Sequence, residues 1–134
     1  MKRYVTDTHS ILWYLTTDHR LPRQVRRIFG SAEEGRVQIL VPSIVLVEAI
    51  FLMQRERIPQ SLVAELLALP EDPKAGICVV PLNGAVAQAV SDFGPAAVPD
   101  LPDRIIAATA RALSIPLITR DPLIAESGLV TVVW

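Results

Sequence analysis

The chain predicts an α/β fold with a mainly parallel central sheet flanked by helices. Three observations carry this expectation. Short β-rich runs alternate with helical stretches along the whole chain. Its 134 residues suffice for one domain with a real core and are too few for two. No repeat or low-complexity segment interrupts the order, so residues 1–134 read as a single domain.

The elements follow in order. Tyr4–Thr6 is a strand after a basic start, and His9–Leu15 (HSILWYL) is a helix with a mostly apolar surface. Pro22 suits a first helical turn. The stretch PRQVRRIFGSAEEG continues from it as an amphipathic helix ending near Gly30 or Gly35. Val37–Val41 is the second strand. Ser43 is a good N-cap for a long helix running to about Arg57. Pro59 opens another helix, SLVAELLAL, which ends before Pro70. EDPKAG is a loop and Ile77–Val80 the third strand. Asn83 caps a helix through GAVAQAVSDFG, and the three prolines of GPAAVPDLP mark an exposed loop. Asp103–Leu113 is strongly helical. Leu117–Thr119 is the fourth strand, Pro122–Glu126 a short helix, and Val130–Val133 the last strand.

Composition narrows the class. Hydrophobic residues make up 51% of the chain, which argues against intrinsic disorder. Thirteen basic and 14 acidic residues leave a net charge of −1. Global attraction to nucleic acid or to anionic membrane is therefore absent, and any such binding needs a local patch. The single cysteine, Cys78, excludes an internal disulfide and a cysteine zinc site. Its apolar neighbours in ICVVPL predict a buried structural thiol. The N-terminus MKRYVTDTHS lacks the apolar core of a signal peptide. The apolar run Val37–Met53 is broken by Gln38, Pro42, Ser43 and Glu48 and falls short of the ~20 residues that span a bilayer. A soluble, cytoplasmic protein without membrane attachment is expected.

Four acids stand out. Asp7 directly follows the first strand and Asp121 the fourth, so parallel strands would put both on one rim of the sheet. Asp103 lies in the first turn of the helix that feeds strand four, at the same rim. Glu48 sits in the greasiest stretch, SIVLVEAIFLM, where an isolated ionised carboxylate costs several kcal/mol. Parallel sheets bind ligands at this rim. Clustered carboxylates repel unless a cation is present, and oxygen-only ligands suit Mg²⁺ or Mn²⁺. Each acid also has a plainer role. Asp7 and Asp121 can be helix caps, Asp103 a favourable first-turn acid, and Glu48 the partner of a distant arginine such as Arg104 or Arg120.

Together the stretches YVTDTHSILWYL, PSIVLVEAIFLM, LPDRIIAATARAL and PLITRD resemble the PIN-domain family, and within it the VapC-like toxins of bacterial toxin–antitoxin pairs. The resemblance covers essentially the whole chain. It implies a PIN-like α/β/α sandwich and a Mg²⁺- or Mn²⁺-dependent endoribonuclease that leaves a 5′-phosphate and a 3′-hydroxyl. Asp7, Glu48, Asp103 and Asp121 match the family's acidic quartet, as catalytic residues and metal ligands. Thr119 and Thr8 match its neighbouring hydroxyl positions. Asp100 is an addition, read as a helix cap in preference to an accessory ligand. The resemblance further implies an RNA substrate, a homodimer and an antitoxin partner that inserts a segment over the active site.

Other residues have milder expectations. His9 is a packed or solvated histidine and His19 a surface one. Arg23, Arg26 and Arg27 share a helix face, by default a solvated one. Trp13 and Tyr14 are core or dimer contacts, and Trp134 seals a sheet edge. The helices between Ser43 and Leu69 carry more apolar residues than one stripe needs, which points to a dimer contact. A phospho-accepting receiver lacks its lysine, since only Lys2 and Lys74 exist, and an Asp-x-Asp phosphatase lacks its second acid at His9. The remaining alternative is a non-catalytic PIN-like module that binds RNA or protein.

Overall fold

The structure is a computed structural model describing residues 1–134. Five strands form one all-parallel sheet: β1 (Arg3–Thr6), β2 (Gln38–Pro42), β3 (Ile77–Val80), β4 (Leu117–Ile118) and β5 (Val132–Val133). Seven helices accompany them: α1 (Thr8–Leu15), α2 (Arg23–Glu33), α3 (Ser43–Gln54), α4 (Gln60–Ala68), α5 (Gly84–Ala89), α6 (Leu101–Leu113) and α7 (Pro122–Ser127). Parallel neighbours need crossover connections, and the helices supply them. The strand order is β3-β2-β1-β4-β5. The chain therefore builds outward from β1 on one side, then returns to build on the other. That reversal leaves a crevice between β1 and β4 at the carboxyl ends of the strands, the usual ligand position in such sheets.

Burial explains why the strands read as continuous apolar runs. Ile39, Leu40 and Val41 are consecutive and all buried, so both faces of the sheet are covered. Val5, Leu117 and Ile118 continue this core across the sheet, and α6 packs on β1 with buried Ile106, Ala107, Ala108 and Ala110. Gly76 precedes β3 where a Cβ would meet the Val37 carbonyl oxygen at 2.1 Å, so only glycine fits between the strands there.

Several element ends differ from expectation. Ser43 is not an N-cap. Strand β2 runs through Pro42, which pairs with Val80, so α3 starts at once and Ser43 is its first residue. The Ser43 hydroxyl instead accepts from the Leu82 N–H at 3.3 Å. Helix α6 begins two residues early, at Leu101, because Asp100 caps it by accepting from the Asp103 N–H at 3.1 Å. Helix α5 covers only Gly84–Ala89 before a 3₁₀ turn, and β4 and β5 are two residues each. Cys78 is half-buried rather than buried, because β3 is an edge strand.

Most of the apolar surplus on α3 is used inside the subunit. The helix packs against α1, α4, α6 and β2, half-burying Ile44, Leu46, Ile50, Leu52 and Met53. Val47 and Phe51, one turn apart, stay exposed, as does Leu67 on α4. No helix is long and apolar enough to cross a membrane.

Candidate active site

Asp7 leaves β1 and caps α1, its Oδ1 accepting from the Ser10 N–H at 2.9 Å. The next residue, Thr8, is buried, and its hydroxyl donates to Glu48 Oε1 at 2.5 Å. That bond ties the start of α1 to the middle of α3. Glu48 is half-buried and has no basic partner. The ion pair with Arg104 or Arg120 is not made. Arg104 donates to the carbonyls of Val98 at 2.7 Å and Pro95 at 3.0 Å, bracing the loop before α6. Burial raises the Glu48 pKa. The Thr8 hydrogen bond opposes this, while the charges of Asp100 and Asp7 add to it.

Asp121 caps α7, its Oδ1 accepting from the Leu123 N–H at 2.9 Å. The buried Thr119 hydroxyl accepts from the Asp121 N–H at 3.1 Å and so fixes the turn that aims this acid. Asp103 is half-buried in the first turn of α6. Its pKa is pushed up to about 7, first by burial, then by the charges of Asp100, Asp121 and Glu48. Asp7, Asp103 and Asp121 line one open cleft of about 310 Å³. Glu48 does not line this cleft; its hydrogen bond from Thr8, the residue after Asp7, ties it to the cleft's edge.

The structure thus gathers the acids electrostatically but not to mutual ligand distance. No three His, Cys, Asp or Glu side chains stand close enough to enclose an ion as they lie. The chemistry of the set still fits a hydrated hard cation. Mg²⁺ keeps several waters and takes only one or two carboxylates directly. None of the four acids is paired with a cation, since the chain's ion pairs use Asp18, Glu34 and Asp92. The cleft also holds a buried hydroxyl, Ser10 Oγ, with no hydrogen-bond partner. Such a group commonly marks a missing water or ion.

Two features escaped the sequence. The orphaned Ser10 hydroxyl is one. The other is a pair of cations, because Arg20 and Arg120 both line the cleft with guanidinium carbons 4.5 Å from the centre of the Trp13 ring. Arg20 lies in the loop TTDHRLP, where nothing local marks a site. Asp18 holds it through two bonds of 3.1 and 2.8 Å. Arg26 donates to the Asp18 carbonyl at 2.7 Å, so it braces this loop and leaves Arg23 and Arg27 as the exposed pair on α2. Trp13 is buried, with Trp134 edge-on at 6.1 Å and the exposed His9 at 5.7 Å. Tyr14 stacks on Phe29 at 4.9 Å as part of the core.

The PIN-domain family model matches residues 4–127. Three solved structures show the likeness of fold. VapBC2 of Rickettsia felis, bound to a promoter DNA fragment, aligns with TM-score 0.73 at 12% identity over 98% of this chain and 97% of that one. DNA-bound VapBC of Salmonella typhimurium aligns with TM-score 0.72 at 16% identity, covering 99% and 98%. VapC20 of Mycobacterium tuberculosis, a toxin that cleaves the sarcin–ricin loop, aligns with TM-score 0.65 at 16% identity, covering 95% and 96%. Comparison with the sequences of characterised proteins gives no match. With 124 consecutive positions matched and the same architecture throughout, the chain belongs to the PIN-domain family.

Proposed function

We propose that this protein is a Mg²⁺- or Mn²⁺-dependent endoribonuclease and the toxin of a toxin–antitoxin pair. The observation that carries the reading is a set of carboxylates without cation partners at the topological switch point, where Asp7, Asp103 and Asp121 line one cleft and burial, then the charges of Asp100, Asp121 and Glu48, push Asp103 up to about 7. Asp7 and Asp103 would hold the ion most directly, and Glu48 and Asp121 would complete the set or orient waters. A bound divalent ion supplies an activated water and polarises the scissile phosphate. The chain's own work is to position. Thr8 fixes Glu48, Thr119 fixes Asp121, and the α1 cap fixes Asp7. Water oxygen bonds to phosphorus, the bond to the 3′ oxygen breaks, and that oxygen leaves as a hydroxyl. The products are a 5′-phosphate and a 3′-hydroxyl, with no side-chain nucleophile.

The partner follows from the kind of protein that shares the fold. Two of the structures that share the fold are VapBC assemblies bound to DNA. A cognate antitoxin segment would cover the cleft, and the exposed Val47 and Phe51 of α3 would meet a second copy in a homodimer. The cytoplasm, where RNA is the substrate, is the expected compartment.

A panel of RNAs incubated with Mg²⁺, Mn²⁺ or EDTA tests the reading. Cleavage should need the metal. Asp7→Asn and Asp103→Asn should each lower it by about 100-fold, since each removes charge that holds the ion. Folded variants that cut at the wild-type rate would sink the assignment. RNA binding without any cleavage would favour a non-catalytic module instead.

A further inference from the structure

A second cleft, of about 540 Å³, opens beside the acid cleft. The two share His9, Trp13 and Arg20, so they form one continuous groove. Away from the acids the groove turns apolar, with Leu12, Leu52, Ile58 and Leu62 in its walls and Arg57 among them. The volume lies within the roughly 300–1,000 Å³ of small-ligand sites, and the walls set this apolar patch beside His9, Thr16, Asp18, Arg20 and Arg57, a mixture that suits a flat heteroaromatic ring with polar edges.

Charge selects the occupant. Three arginines border the groove: Arg120 at the acid cleft, Arg20 at the junction and Arg57 in the apolar part. Arg57 and Arg120 make no ion pair, and the one carboxylate of the apolar part, Asp18, is already spent on Arg20. Arg20 and Arg120 are held against Trp13, so less conformational freedom is lost when they meet a phosphate. Buried under its neighbours, Trp13 serves as the mount for these cations rather than as a stacking platform. A groove with phosphate-binding cations along it and an apolar pocket at its end matches a nucleotide, not an acidic or an apolar peptide alone.

We infer that the second cleft is a nucleotide subsite: it receives the unstacked base next to the scissile bond, while Arg120 and Arg57 hold the flanking phosphates. The inference rests on the ribonuclease reading and narrows its substrate to single-stranded or looped RNA, because a paired base cannot enter the pocket. It also gives Arg20 a positioning role at the junction.

Cross-linking in EDTA tests this without cleavage. A short single-stranded RNA carrying 4-thiouridine is bound to the full-length protein, irradiated, and the labelled peptides are mapped. Labels are expected on Leu52–Pro59 or Leu12–Thr16. Arg57→Ala and Arg120→Ala should each weaken RNA binding about tenfold, as loss of one charged hydrogen bond does. Each should also reduce the salt slope of binding by about 0.7, a change that a purely structural role would not produce. The melting temperature of Arg57→Ala should stay at the wild-type value, because that side chain is exposed and unpaired, whereas Arg120→Ala also gives up its contact with Trp13 and should melt slightly lower. If RNA is bound and cut but the labels fall only on other surfaces, the subsite is overturned and the groove is left to a protein segment. If the protein neither binds nor cuts RNA, the ribonuclease reading falls and the subsite falls with it.

Discussion

Asp103 is where the charges of the cleft converge, and its protonation should be visible in stability. In the metal-free fold its pKa is pushed up from the ordinary 3.8 to about 7, by burial first and by Asp100, Asp121 and Glu48 after that. The native state then binds the proton more tightly than the unfolded chain does. Its stabilising effect is complete below about pH 4 and is lost as pH rises through about 7. Urea midpoints measured in EDTA should therefore fall between pH 5 and pH 8, and the fall should shrink in Asp103→Asn. An unchanged pH profile in that variant would mean that other groups carry the repulsion. Glu48, whose pKa is also raised, should contribute in the same direction.

At the scale of the elements, the plain and the functional readings of the acids turn out to be compatible. Asp7, Asp100 and Asp121 each cap a helix through one carboxylate oxygen, with Asp7 and Asp121 lining the cleft as well. Helix N-termini at the carboxyl end of a parallel sheet make this double use possible, since a cap there already faces the rim. Asp100 separates the two roles. Asp100→Asn keeps a good cap and removes a charge beside Asp103, so the metal-free protein should melt at or above the wild-type temperature. Asp100→Ala loses the cap and should cost about 1 kcal/mol. Equal losses in both variants would instead assign the stability to the charge. The aspartates were legible in the sequence because each one punctuates a strand end or a helix start, and Glu48, in the middle of α3, because its neighbours are apolar. Helix α6 starts two residues before its helical pattern shows, because Leu101 and Pro102 look like loop residues although a capped first turn accepts them. Ser43 looked like a cap, but the pairing of β2 reaches Pro42 and leaves no room for one. The Arg20–Trp13–Arg120 arrangement had no local signature at all, since it joins a loop, a helix and the turn after β4.

At the scale of the whole molecule, the strand order decides which residues meet. Alternation of strands and helices predicted a parallel sheet, yet only the order β3-β2-β1-β4-β5 places the ends of β1 and β4 side by side and brings Asp7 and Asp121 into one cleft. The metal-free molecule therefore keeps like charges together across elements that are far apart in sequence. A divalent ion that binds the native state alone should stabilise it by RT ln(1 + [L]/Kd), about 2.7 kcal/mol at a hundredfold excess over Kd. Glu48→Gln sharpens the test. Glutamine retains an acceptor for the Thr8 hydroxyl, the variant loses a half-buried charge, and no arginine is left stranded. The metal-free variant should therefore melt at or above the wild-type temperature while gaining less from Mg²⁺. Melting curves in EDTA and in Mg²⁺, with ionic strength matched by NaCl, distinguish this from a purely structural role. A large loss of metal-free stability with an undiminished Mg²⁺ response would show that Glu48 serves the contact between α1 and α3 and not the ion.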